Sequence, residues 1–173
     1  MVINLQSAIS FFRDDPHFYN AVSYLVCGAM LIVWSISVLK SRPTRERTWL
    51  ALAAISALTM LPVYHRTSDA KLLLLAVPAC AMLWAKGNAV GRIAVAVTTA
   101  GVLLTGEVLW IIYLAILRNL PLPATHSALE LRMASQIFPI PLILLVVSVF
   151  YLWVYARSGS HETSAPSAIE SIG

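Results

Sequence analysis

The chain has 173 residues, 59% of them hydrophobic and 12% charged, with a formal net charge of +4. A soluble domain of this length usually holds about a quarter charged residues, so the composition excludes an ordinary soluble domain and points to a membrane protein. The basic residues are scattered, and no basic face is interleaved with aromatics; no nucleic-acid partner is expected, and the cations suit orientation in a bilayer.

Residues 1–17 lack the basic start of a signal peptide, and Asn4, Gln6 and Ser7 break the apolar run. Leu5, Ala8, Ile9 and Phe12 recur at helical spacing, which predicts a short outer helix lying in the membrane interface. Asp14 and Asp15 stand before Pro16. Paired carboxylates can hold a metal or supply a base, but Asp-Asp-Pro also reads as a helix start or turn.

Five spanning helices are expected in an all-α, polytopic membrane domain over 18–156. A span needs about 20 mostly apolar residues. The first covers about 18–39 and ends at KSRPTRER, with Lys40, Arg42, Arg45 and Arg47. The second covers 48–63. The third, 72–85, is short, but Lys71, Trp84 and Lys86 extend it to the interfaces. Pro78 within it predicts a kink or a freed carbonyl. The fourth covers 89–117. A proline-rich loop with a short helix follows, and the fifth covers 139–156. The tail, 157–173, is small and polar and is expected to be disordered.

Loops on alternate sides sort the cations. Lys40, Arg42, Arg45, Arg47, Lys86, Arg92 and Arg157 fall on one side, and Arg13, Arg66, Lys71, Arg118 and Arg132 on the other. Positive loops stay inside. The expected place is a bacterial plasma membrane, N-terminus outside and C-terminal tail cytoplasmic.

Between the second and third runs stands a polar knot: Tyr64, His65, Arg66, Asp69 and Lys71. His65 and Asp69 share a face if the segment is helical. Ser68 or Asp69 could instead cap the third helix, whose N-terminus then turns free N–H groups toward His65, Arg66 and Lys71, an arrangement suited to phosphate. The plainer alternative is an interhelical turn with a cap and solvated cations. Glu107 is the second suspect. In mid-span it is a protonated or paired intramembrane carboxyl, at a cost of ~2.5–3.5 kcal/mol; with a span ending near Gly106, it lies at the outer interface. Cys27 and Cys80 have no metal or redox spacing and read as small core residues. His17, His126 and His161 show no zinc-ligand pairing, and no metal or cofactor is expected. Tyr19, Trp49, Tyr64, Trp84 and Trp153 mark span ends, as interfacial belts do.

The segment LPVYHRTSDAKLLLLAVPACAMLW resembles part of the polytopic GT-C glycosyltransferases of family 87, polyprenyl-phosphate-mannose-dependent mannosyltransferases. The family pattern runs Tyr-His-Arg, one residue, an aromatic, Asp, then a leucine-rich helix. Tyr64, His65, Arg66 and Asp69 match it, while Ser68 stands where an aromatic is usual. RNLPLPAT and FPIPLILLVVSVFYLWVY are similar to the C-terminal part of such proteins. The resemblance implies a partial GT-C-like bundle, the final third or so of a longer enzyme that moves a hexose from polyprenyl phosphate to an acceptor hydroxyl. It implies donor-phosphate contacts from His65 and Arg66, joined by Lys71, with Tyr64 and Asp69 orienting them. The family's catalytic carboxylate lies in a first outer loop. Asp14 and Asp15 do not correspond to it, so the catalytic residue is unknown. The implied partners are the polyprenyl-phosphate donor, membrane lipid, and missing N-terminal helices or a partner subunit. The other reading is a small non-catalytic membrane protein, a subunit or remnant.

Overall fold

The computed structural model describes residues 4–62, 67–106, 108, 111–112, 114–115 and 137–160. These residues are all-helical, without a strand among them. Helix α1 is Leu5–Ser10, α2 is Pro16–Leu39 and α3 is Arg45–Met60. A 3-10 helix, Thr67–Leu75, leads into α4, Ala76–Ala85. Helix α5 is Ala89–Thr105, and the last described helix, α6, is Pro139–Ser160.

Each start has a local cause. Asn4, Asp15, Thr44 and Asn88 turn side-chain oxygens onto backbone N–H groups at the starts of α1, α2, α3 and α5. Pro16 sits where the missing N–H costs nothing. Between α4 and α5 the chain reverses at Lys86–Gly87–Asn88, with Gly87 at a φ of 67°. That left-handed conformation suits glycine, and the Gly87 N–H closes the turn on the Trp84 carbonyl at 2.9 Å.

The core forms around α3. Its buried residues, among them Leu50, Ala53, Ala54, Ala57 and Met60, lie on several of its faces. It packs against α2, the 3-10 helix, α4 and α6. The alanines let neighbouring backbones approach closely, the usual means of helix association in lipid. The Trp34 indole N–H of α2 reaches the Ala51 carbonyl of α3 at 3.0 Å. Helix α6 buries Ile140, Leu144, Val147, Tyr151 and Val154, a strict alternation of four- and three-residue steps. Helix α5 offers a matching stripe of small residues: Gly91, Ala94, Thr98, Gly101 and Thr105. Where the two meet, the hydroxyls of Thr98 and Tyr151 share a hydrogen bond of 2.6 Å.

Two helices, α2 and α6, are long and apolar enough to cross a membrane. The expected third span differs in its winding. The α-helix begins at Ala76, capped by Leu75 without a side-chain bond. Ser68 and Asp69 therefore do not cap it; both lie within the preceding 3-10 helix. Pro78, the third residue of α4, has no N–H to give to the preceding turn, so it marks the change of winding. The tail also differs: residues 157–160, placed in a disordered segment, continue α6. Arg157 stacks on the Trp153 ring at 4.3 Å, and Ser158 donates to the Tyr155 carbonyl at 2.7 Å, which holds that last turn. Helix α5 ends at Thr105, with extended backbone at Gly106; Glu107 and residues 116–117 of the fourth expected span lie outside the described residues.

Candidate functional site

Two polar regions lie at opposite ends of the bundle. The first is the end where α3 stops and α1 begins. The Leu5 N–H donates to the Leu61 carbonyl at 3.1 Å, so α1 docks on the last turn of α3. Leu5 and Ala8 are buried there. Phe11 meets Phe138, just before α6, edge-on with ring centres 4.9 Å apart. Arg13 pairs with Asp15 at 3.3 Å and lies over the Phe18 ring. Asp15 is thus engaged twice, since it also accepts from the His17 N–H at the start of α2. Its geometry is that of a helix cap.

The polar knot read from the sequence lies mostly outside the described residues. Leu61 and Pro62 precede it, and the 3-10 helix begins at Thr67. Tyr64, His65 and Arg66 lie outside the described residues, and of Asp69 only the backbone is described. Lys71 is exposed, one residue before a run in which only Leu73 is buried. Three leucines, Leu72, Leu74 and Leu75, are exposed on the same stretch. A cation therefore stands next to an outward apolar surface, midway along the 3-10 helix.

The second region was not anticipated as a site, although its cations had been sorted to one side. The start of α3, the α4–α5 turn and the end of α6 converge on it. Lys86 donates to Glu46 at 2.6 Å, with both side chains between a third and a half exposed. Arg47 is 8% exposed; its Nε donates to the Ser158 hydroxyl at 3.4 Å, and its guanidinium lies 5.3 Å over the Tyr155 ring. The Tyr155 hydroxyl in turn donates to the Ser37 carbonyl of α2 at 3.4 Å. A buried guanidinium is tolerable only when its donors and its flat face are occupied, as here.

Between these groups opens a cleft of about 310 Å³. Leu83, Val90 and Val154 line its buried part. Glu46, Lys86, Asn88, Arg157 and Ser158 supply its polar edge, with Trp153 beside them. Sequence could not show this cleft, because its residues come from three stretches far apart in the chain. The one available signal was the clustering of cations at three helix ends.

Among the described residues, no group of three or more His, Cys, Asp or Glu side chains gathers as a metal site would require. Both cysteines are free thiols, Cys27 buried and Cys80 half-buried. No family model, curated protein or solved structure matches this chain.

Proposed function

We propose that this chain is a multi-pass membrane protein and the C-terminal part of a lipid-linked sugar transferase, with the polar knot as its contact to the donor phosphate. The observation that supports it is the sequence run Tyr64-His65-Arg66 with Asp69 and Lys71, followed by the exposed Leu72, Leu74 and Leu75 of the 3-10 helix. A polyprenyl phosphate is an anion on an apolar chain, and this stretch offers cations beside apolar side chains. His65, Arg66 and Lys71 bind the phosphate; Tyr64 and Asp69 orient them. Membrane residence is supported by the outward faces of α2, α5 and α6. Leu25, Ile32 and Ile36 of α2, Ile93 and Leu103 of α5, and Leu142, Val146 and Val149 of α6 are all exposed. Water does not accommodate so extensive an apolar surface, and lipid does. The membrane is a bacterial plasma membrane, with the N-terminus and the knot outside and the cation-rich ends of α3 and α6 inside.

Transfer requires a carboxylate base and cations on the departing phosphate. This chain supplies the cations and draws the base from further helices or a partner, so alone it binds donor without turning it over. The test is binding of polyprenyl phosphate to the purified chain. Arg66→Ala or His65→Ala lowers affinity at least about tenfold, the size of a lost charge-assisted hydrogen bond. Unchanged affinity in both variants defeats the site, and sugar transfer that survives His65→Ala and Asp69→Ala defeats the mechanism.

The second reading, a non-catalytic subunit, is favoured by α2, whose most apolar stretch is only 11% buried. Such a face suits other helices as well as lipid. Copurification of the chain with a fixed partner, without any affinity for polyprenyl phosphate, would select it.

A further inference from the structure

The cleft at the opposite end has chemistry of its own. Its buried lining is apolar, from Leu83, Val90 and Val154, and its exposed edge carries Lys86 and Arg157. The described residues give Arg157 no carboxylate partner; its guanidinium rests on Trp153, which is 42% exposed. Glu46 is the single carboxylate of the lining and is already paired with Lys86. Arg47 stands behind this edge, buried and held by Ser158 and Tyr155. The positive charge is therefore in excess where the cleft opens, and an aromatic ring of the type found at membrane interfaces lies beside it. The volume lies at the lower bound of small-molecule sites, ~300 Å³.

We infer that this cleft binds the headgroup of an anionic phospholipid on the inner side of the membrane. The inference rests on the membrane reading above, but not on the sugar-transferase reading. The phosphodiester lies against Arg157 and Lys86, with the Asn88 amide as a neutral donor. The upper part of an acyl chain follows Val154 and Val90 into lipid. Arg157 is the principal contact, because it is fixed by its ring and uncommitted to an acid. Lys86 is shared with Glu46, and that sharing limits the affinity.

Full-length protein is reconstituted in phosphatidylcholine vesicles, and flotation after alkaline carbonate establishes insertion. Spin-labelled phosphatidylglycerol and spin-labelled phosphatidylcholine are then compared for their motionally restricted fraction at the protein. Phosphatidylglycerol is preferred about fivefold or more, the worth of one cation at an anionic lipid surface. Arg157→Gln removes most of that preference. Glu46→Gln, which frees Lys86, increases it, a gain that misfolding cannot imitate. Arg92→Gln, outside the cleft, changes it little. Equal retention of both lipids overturns the proposal, as do equal losses in Arg92→Gln and Arg157→Gln, which would mean diffuse surface charge. Displacement of the lipid by inorganic phosphate assigns the site to the free anion and overturns the lipid assignment. Failure to float overturns the membrane reading, and the cleft proposal falls with it.

Discussion

Gly91 shows how one side chain can set a helix pair. A methyl group there would run into the Leu83 carbonyl of α4, with the Leu83 carbonyl carbon only 2.8 Å away. Backbone cannot give as a flexible side chain can, so Gly91→Ala separates α4 from α5 despite alanine's better helix propensity. A net loss of about 1–3 kcal/mol is expected in reversible unfolding from detergent. Gly101 is tight too, but its nearest neighbour is a Val147 methyl at 3.1 Å, which can shift. The Thr98–Tyr151 bond is the polar counterpart of this close approach. A double-mutant cycle with Thr98→Val and Tyr151→Phe should return a coupling of about 0.6–1.7 kcal/mol, the range for hydrogen bonds between membrane helices. A coupling near zero would mean that both hydroxyls find substitute partners. None of these roles could be read from the sequence. The stripe Gly91–Ala94–Thr98–Gly101–Thr105 has visible spacing, but a small residue does not name the neighbour it admits.

At the scale of elements, the junction at Pro78 separates two windings of one rod. Pro78→Ala restores an N–H that can bond back into the preceding turn. The expected result is extension of α-helix toward the 3-10 segment, seen as slowed amide exchange at Leu74 and Leu75. Exchange unchanged at both would locate the cause of the 3-10 winding in tertiary contacts instead. The runs expected at 18–39 and 139–156 lie inside α2 and α6; the run at 48–63 extends past the end of α3, that at 72–85 begins in the 3-10 helix, and that at 89–117 extends past the end of α5. The winding was less legible. Leu73, Ala76 and Ala79 form the buried seam at three-residue steps, and then Leu83 follows at four. A leucine run with apolar residues on all sides hides that periodicity. The alternative in which Ser68 or Asp69 caps the third helix does not apply at Ala76, because a helix continued upstream by 3-10 turns has fewer orphan N–H groups to cap.

For the whole molecule, the central place of α3 governs what a hydropathy scan can see. Helix α3 spends its apolar character on alanines packed against four elements, so it needs little lipid-facing bulk. Its length, ~24 Å, and that of α5, ~26 Å, fall short of a hydrocarbon core of about 30 Å. Helices α2 and α6, at ~36 and ~33 Å, are long enough to cross it unaided. The five-span reading therefore predicts a thinned or tilted fit around α3 and α5. Single cysteines placed at Lys40 and Gly87, in a chain lacking Cys27 and Cys80, should be labelled from the inner side of oriented membranes only. A cysteine at Arg13 should be labelled from the outer side only. Labelling of Gly87→Cys from the outer side would remove α4 or α3 from the spans. The cleft escaped the sequence reading altogether, since its edge exists only once α3, the α4–α5 turn and α6 are brought to the same end. The knot was the reverse case, legible as a motif from residue types alone.

The 3-10 segment also acts as a ruler. Nine residues wound three to the turn rise ~18 Å, against ~13.5 Å for the same residues in an α-helix. With α4 held at Ala76, rewinding the segment would draw Thr67 back by roughly 4–5 Å and carry it about half a turn around the axis. Lys71, five residues above that anchor, would turn through roughly 100°. The reach of this rod, and the neighbour its upper end addresses, are thus written in backbone winding more than in residue count. Together with α4 it measures ~33 Å, against ~28 Å for the same residues wound wholly as α-helix, so the winding carries the rod past a hydrocarbon core of about 30 Å.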